Sequence, residues 1–259
     1  MKKRLKKTAG DPKMFLTKRM LKLVKRVYLG GLIEACVLKI SNGVASVRAI
    51  DSTNSLFISV SEKVGDPGSA ECSVGIGDLD VLVNLLSSIK EDRFQLTIKD
   101  NVMIISREGR VTFKYLLSDI DVIPTSMEDA KGDPVKKIIE QSDNQFELTA
   151  DVVSDFINYS SMTKSREAYV SVSDGNVVIG AGEKTGHRFR IPVTKIKSAK
   201  SFSSKYYGDY LTRIFAVVDF SESTKPSLLF GNQKPAVIIQ GEKNVWALVP
   251  AAEDASDED

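Results

Sequence analysis

Histidine is nearly absent from this sequence: His187 is the only one in 259 residues. A Ser/His/Asp triad or a histidine-rich zinc site therefore has almost nothing to be built from. Cysteine is as scarce. Cys36 and Cys72 are too few for a disulfide framework and fit reduced, buried thiols of an intracellular protein. No apolar run approaches the ~18 residues that cross a bilayer, and the first residues lack the apolar centre of a signal peptide. No membrane partner is expected. The sequence has no G-x-x-x-x-G-K-[ST], so ATP hydrolysis is not expected of it. No cluster of metal-ligating residues stands out, and no cofactor or metal is expected. Glycines at 30–31, 75, 77, 180 and 182 read as turns or bulges, not phosphate cradles.

What is present is ordinary for a globular protein: 42% hydrophobic and 27% charged residues. The length suits one large domain or two of about 125 residues. A formal net charge of +2 hides a polar layout, because "MKKRLKK" opens with five basic residues and "EDASDED" closes with five acidic ones. Both stretches read as solvated tails. The densest internal charge is "TKRMLKLVKRV", Thr17 to Val27. On a helical wheel Lys18, Lys22 and Lys25 nearly align, with Arg19 and Arg26 beside them, over an arc of about 120°. Met20, Leu21, Leu23, Val24 and Val27 take the other side. One face buries and the other presents charge.

After that helix the chain reads as strands. Asn42-Gly43 joins two apolar runs into a hairpin, "SLFISVS" and "ECSVGIG" follow, and Leu79 to Lys90 reads as a helix burying Leu82, Leu85, Leu86 and Ile89. Three strands follow, with turns at Asp100-Asn101 and Glu108-Gly109. The plan then restarts. Thr149 caps a helix to Met162 with Val152, Val153, Phe156 and Ile157 inward, and Asp174-Gly175 makes a second hairpin. "HRFRIPV" stands where "SLFISVS" stood, "YLTRIF" reads as a strand, "AVVDFSES" as a short helix, and three strands close the chain. Each half is helix, hairpin, strands, helix, three strands: an internal duplication. Between them lies a long polar connector broken by Pro124, Gly132 and Pro134.

The organisation resembles the sliding-clamp family, proliferating cell nuclear antigen and the processivity clamps of phage polymerases, over about residues 14 to 254. "LKISNGVASVRAIDSTNSLFISV" is similar to the family's first hairpin, ending in an apolar residue followed by Asp-Ser. "LLSDIDV" resembles the start of its interdomain connector, and "KPAVIIQGEKNVWALVPAAED" its closing strands and acidic tail. The resemblance implies an α+β fold of two duplicated clamp domains, each an antiparallel sheet with two helices, joined by a long connector. The boundaries expected are a basic extension 1–13, domains 14–119 and 146–251, a connector 120–145 and an acidic tail 252–259. It further implies a homotrimeric ring in which "RVTFKYLL" of one subunit pairs with "HRFRIPV" of the next, threaded by double-stranded DNA.

Function follows as an expectation: a non-enzymatic DNA sliding clamp that tethers DNA polymerase, is opened by a clamp loader ATPase, binds clamp-binding peptide motifs and works at replication forks. A sliding protein needs diffuse positive charge facing phosphates. Lys18, Arg19, Lys22, Lys25 and Arg26 are the primary candidates, with Lys90, Lys164, Arg166 and Lys13 weaker. The helices at Leu79–Lys90 and Thr149–Met162 depart from the family by showing Asp80, Asn84 and Ser87, and Asp151, Asp155 and Asn158, instead of cations. The implied partner-peptide pocket would be lined by Ile50, Asn54, Ile123, Pro235, Leu248, Val249 and Pro250, with Trp246 a core anchor beside it. The alternative is a clamp-like monomeric or dimeric scaffold that does not encircle DNA. Three short β-lactamase-type motifs, "SMTK" at Ser161 to Lys164, "SDN" at Ser142 to Asn144 and "KTG" at Lys184 to Gly186, occur in the wrong order and setting for acyl transfer.

Overall fold

The computed structural model describes residues 13–66, 71–107, 110–124, 134–182, 186–197 and 201–251. They form two compact units, one of Met1–Val47 and Ser61–Pro124, the other of Arg48–Val60 and Thr125–Asp259. The chain runs β1 (Lys13–Thr17), α1 (Arg19–Tyr28), β2 (Cys36–Ser41), β3 (Val44–Ile50), β4 (Leu56–Lys63), β5 (Cys72–Ile76) and α2 (Leu79–Ser87). Then come β6 (Arg93–Lys99), β7 (Val102–Arg107), β8 (Arg110–Leu116), a 3-10 turn (Ile120–Val122), α3 (Pro134–Glu140) and β9 (Asn144–Glu147). The second half follows as α4 (Ala150–Thr163), β10 (Glu167–Ser173), β11 (Asn176–Gly182), β12 (Arg188–Lys195), β13 (Phe202–Tyr207) and α5 (Gly208–Val217). It closes with β14 (Pro226–Phe230), β15 (Ala236–Gln240) and β16 (Asn244–Leu248).

In the first unit an antiparallel sheet runs β1-β6-β7-β8, and β5-β2-β3 form a second set. In the second unit the corresponding orders are β12-β11-β10-β13 and β4-β16-β15-β14-β9. The duplication reaches single bonds. Asn42 and Gly43 take φ of 50° and 75°, Asp174 and Gly175 of 49° and 76°, the left-handed pair that a tight hairpin turn requires. Val64 N donates to Gly43 O at 2.9 Å, and Ile196 N donates to Gly175 O at 2.8 Å. A Cβ on either glycine would lie 2.6 Å from a backbone oxygen, so each turn needs glycine for both conformation and space.

Residues 48–60 belong with the second unit, although they precede the connector in sequence. The cause is pairing of β4 with β16, Leu56 opposite Leu248 and Ile58 opposite Trp246. Trp246 is fully enclosed, as a core anchor should be. In the same unit Phe57, Leu229, Val237, Val245 and Ala247 form a cluster on which Ile138 and Ile139 of α3 pack. The connector thus holds a helix beginning at Pro134, a favourable first helical position, where a surface crossing with one short strand pairing was expected.

Other differences have local causes. "YLTRIF" lies inside α5, not in a strand; Leu211, Ile214 and Phe215 are buried with helical spacing, which outweighs the β-branched Thr212 and Ile214. Of "AVVDFSES" only Ala216 and Val217 are helical. β1 takes "KMFLT", pairing with β6, so the first helix starts at Arg19 instead of Thr17. Leu85 of α2 is only half-buried. The Glu108-Gly109 turn, the two tails and the first two residues of "KTG" lie outside the described residues.

Candidate nucleic-acid interface

α1 carries the basic face, and its start is locally unfavourable. Lys18, at the N-cap, makes no side-chain cap bond and only a long one, Arg19 N donating to Thr17 Oγ1 at 3.4 Å, stands in its place; the first turn holds no acid, and Lys18 and Arg19 stand at the positive end of the helix dipole. Met20, Leu23, Val24 and Val27 bury against the unit, and Tyr28 Oη donates to Asp80 Oδ1 of α2 at 2.8 Å. Lys18, Arg19 and Lys25 are exposed and Lys22 is half-buried. Lys18 Nζ pairs with Asp92 at 3.0 Å and Arg19 with Glu62 at 3.6 Å. Lys25 has no acidic partner among the described residues.

Arg26 requires a correction. Its side chain is 1% exposed and its Nη1 lies 3.2 Å from Glu62 Oε2, so it is a buried ion-pair member and not part of the outward face. On the wheel it lies inside the basic arc, between Lys22 and Arg19, so helical periodicity alone does not separate it from the outward cations. The partner Glu62 lies on β4, 36 residues away, so no local pattern announces the pair.

Beside the start of α1 lies an open cleft of about 460 Å³ lined by Thr17, Lys18, Arg19, Lys63, Gly65, Asp66, Asp92 and Arg93. Arg93 pairs with Asp66 there. The cleft is therefore mixed in charge, and the outward cations run on from it along α1. Lys90 follows α2 and is exposed. Lys164 closes α4 in a left-handed conformation, and Arg166 follows it, both exposed. The side chain of Lys13 lies outside the described residues. Asp151, Asp155 and Asn158 of α4 are exposed, which leaves that helix with an acidic face.

The residues expected to line a peptide pocket divide. Ile50, Asn54, Pro235, Leu248, Val249 and Pro250 belong to the second unit, Ile123 to the first. Leu248 is fully buried and serves the core, a correction to its place in the lining, whereas Val249 is 45% exposed and Asn54 is exposed. Ile123 is buried, with its Cδ1 set against Gly75.

Sequence reasoning missed the most ordered polar group near this region. Asp51, 3% exposed, accepts at Oδ1 from Ser55 N and Leu56 N, both at 2.7 Å, and at Oδ2 from Tyr210 Oη at 2.9 Å. Thr53 adds its backbone N–H at 3.3 Å and its hydroxyl. Burial pushes the Asp51 carboxyl up, but the hydrogen bonds from Thr53, Leu56 and Tyr210 together hold it below its ordinary value. Asp followed two residues later by Thr is a local turn signal. Tyr210, 159 residues on, is not visible in the sequence.

Ser161 Oγ donates to Asn158 O at 2.7 Å at the end of α4 instead of facing a base. Burial pushes the Cys36 thiol up to about 12 and the Cys72 thiol to about 11. Among the described residues no cluster of His, Cys, Asp or Glu could hold a metal, and no helix is long and apolar enough to cross a membrane.

No protein-family model and no curated protein sequence matches the chain. Solved structures do. A. fulgidus PCNA, bound to the C-terminal region of FEN-1, aligns with TM-score 0.68 at 16% identity over 94% of this chain and 99% of that one. Proliferating cell nuclear antigen from Entamoeba histolytica aligns at 0.67 and 14% identity, over 95% and 100%. The DNA polymerase sliding clamp of Pseudomonas aeruginosa aligns at 0.67 and 12% identity, over 96% of this chain and 68% of that one. The chain has the α+β sliding-clamp fold, with two clamp domains built on antiparallel sheets.

Proposed function

We propose that this protein is a DNA sliding clamp, a non-enzymatic processivity factor that encloses duplex DNA and tethers a polymerase. The clamp fold over nearly the whole chain carries the reading. The cations of α1 support it: exposed Lys18, Arg19 and Lys25 and half-buried Lys22 offer diffuse charge without base-reading groups, as sliding requires. Lys90, Lys164 and Arg166 add to that charge. Three copies, each with domains 14–119 and 146–251, make the proposed ring, opened by a clamp loader ATPase. Partner peptides are proposed to engage Ile50, Asn54, Ile123, Pro235, Val249 and Pro250.

One observation favours the alternative, a scaffold that does not encircle DNA. β8 carries Arg110 and Lys114, β12 carries Arg188, Arg190 and Lys195, and neither strand holds an acid. Pairing these two edges between identical chains sets like charge against like. Retention on DNA with a loader present separates the readings. A ring stays on nicked circular DNA and runs off after linearisation; equal retention on both would overturn it.

A further inference from the structure

The cations at the start of α1 stand in a frame that pairs most of them with acids of the same unit. Thr17 N donates to Val64 O at 2.7 Å and Lys18 N to Asp92 O at 3.2 Å, while Thr17 stands opposite Arg93 across β1 and β6. These main-chain contacts bring together the three short segments that line the open cleft. Of the cations in that lining, Lys18 is held by Asp92 at 3.0 Å and Arg93 by Asp66, both acids of the cleft itself. Arg19 pairs with Glu62 at 3.6 Å, and Lys63 has no acidic partner among the described residues.

The acids differ in what they serve. Glu62 is 11% exposed and also holds the buried Arg26, so it belongs to the packing of the unit. Asp92 and Asp66 are 91% and 68% exposed, and the cations they hold are about half exposed. Exposed pairs of that kind contribute little to folding. The main-chain frame nevertheless keeps each carboxylate beside its cation, as a tethered counterion. A free cation that meets a phosphate releases a counterion from the DNA, and that release drives binding. A cation already paired to a tethered carboxylate gains less. The carboxylate it abandons takes up a counterion from solution, which cancels the release.

We infer that Asp66 and Asp92 are built-in counterions that withhold Arg93 and Lys18 from the backbone phosphates of duplex DNA. The inference rests on the DNA reading proposed above and adds a restraint to it. The two carboxylates lower the grip at the start of α1, while Lys25, farther along, attracts without one. A protein that slides needs its phosphate contacts to be many and weak, and tethered acids weaken them without removing the cations.

Binding of the full chain to a short labelled duplex, followed by fluorescence anisotropy from about 50 to about 300 mM salt, tests this. Asp66→Asn with Asp92→Asn raises affinity about tenfold at the lowest salt and steepens the slope of log K against log salt by about 1.8, the share of two phosphate contacts. Asp100→Asn with Asp121→Asn removes the same charge from exposed positions outside the cleft and leaves the slope unchanged. Lys18→Gln lowers affinity several-fold more in the Asp92→Asn background than in the wild type, a coupling that net charge alone does not produce. A slope unmoved by Asp66→Asn with Asp92→Asn, or moved equally by the Asp100 and Asp121 pair, overturns the inference. The DNA reading survives that result if Lys22→Glu with Lys25→Glu still weakens binding. Duplex binding absent from every variant, or indifferent to Lys22 and Lys25, overturns that reading and the inference with it.

Discussion

α4 begins as a helix should: Thr149 Oγ1 accepts from Val152 N at 3.3 Å, and Asp151 sits in its first turn. α1, its counterpart in the other half, has no acid in its first turn and only the 3.4 Å bond from Arg19 N to Thr17 Oγ1, and puts Lys18 and Arg19 where the dipole disfavours them. Both bury an apolar stripe, Met20, Leu23, Val24 and Val27 in α1 and Val153 and Phe156 in α4. A local rule broken in one copy and kept in the other marks where function has taken precedence over helix stability. On α1 the outward charge is positive; on α4 it is Asp151 and Asp155. Within the proposed clamp, α1 would do most of the holding, with Lys164 and Arg166 at the end of α4 adding to it.

The sharpest way to break this comparison is through Arg26, the α1 cation that turned inward. Arg26→Ala leaves Glu62 without its buried partner and should lower stability by about 3 kcal/mol. Arg26→Met with Glu62→Met should recover most of that, as denaturant midpoints will show. If Arg26→Ala is as mild as a surface substitution, the residue belongs to the outward face after all. Next in size is Asp51→Asn, which should cost about 1–2 kcal/mol by weakening hydrogen bonds made to a charge.

The sign of its pH dependence follows from the lowered carboxyl. Asp51 contributes stability that is fully present above the unfolded value of about 3.9 and is lost as pH falls through the lower folded value. The wild type should therefore lose stability more steeply below about pH 4 than Asp51→Asn does. Identical acid limbs would remove Asp51 from the account.

The smallest expected effects address the DNA contrast directly. Lys22→Glu with Lys25→Glu should reduce DNA retention about tenfold at low salt and flatten its salt dependence. Asp151→Asn with Asp155→Asn should raise retention only a few-fold, since it removes repulsion without adding contacts. Equal and opposite effects from the two helices would mean that both halves meet the DNA alike.

Much of this fold was legible because its signals are local. The Asn42-Gly43 and Asp174-Gly175 turns, the Thr149 cap and the apolar stripes of α1 and α4 each lie within a few residues, and their repetition exposed the duplication. The misreadings at β1 and α5 arose where a short apolar run fits either period, and only packing decides. The basic face of α1 was legible for the same local reason, except at Arg26, whose partner is distant in the chain.

Residue order alone carries the two-copy plan, the scarcity of histidine and cysteine, and one amphipathic basic helix. Which cations remain outward is a matter of packing, because Arg26 is claimed by Glu62 from another strand. Packing likewise joined Asp51 to Tyr210, buried Leu248, and set Asp92 against Lys18. These are long-range pairings, fixed by strand register and burial instead of by neighbours in the chain. Turns and helix faces need only a short stretch of sequence; a buried charge needs to know what lies across from it.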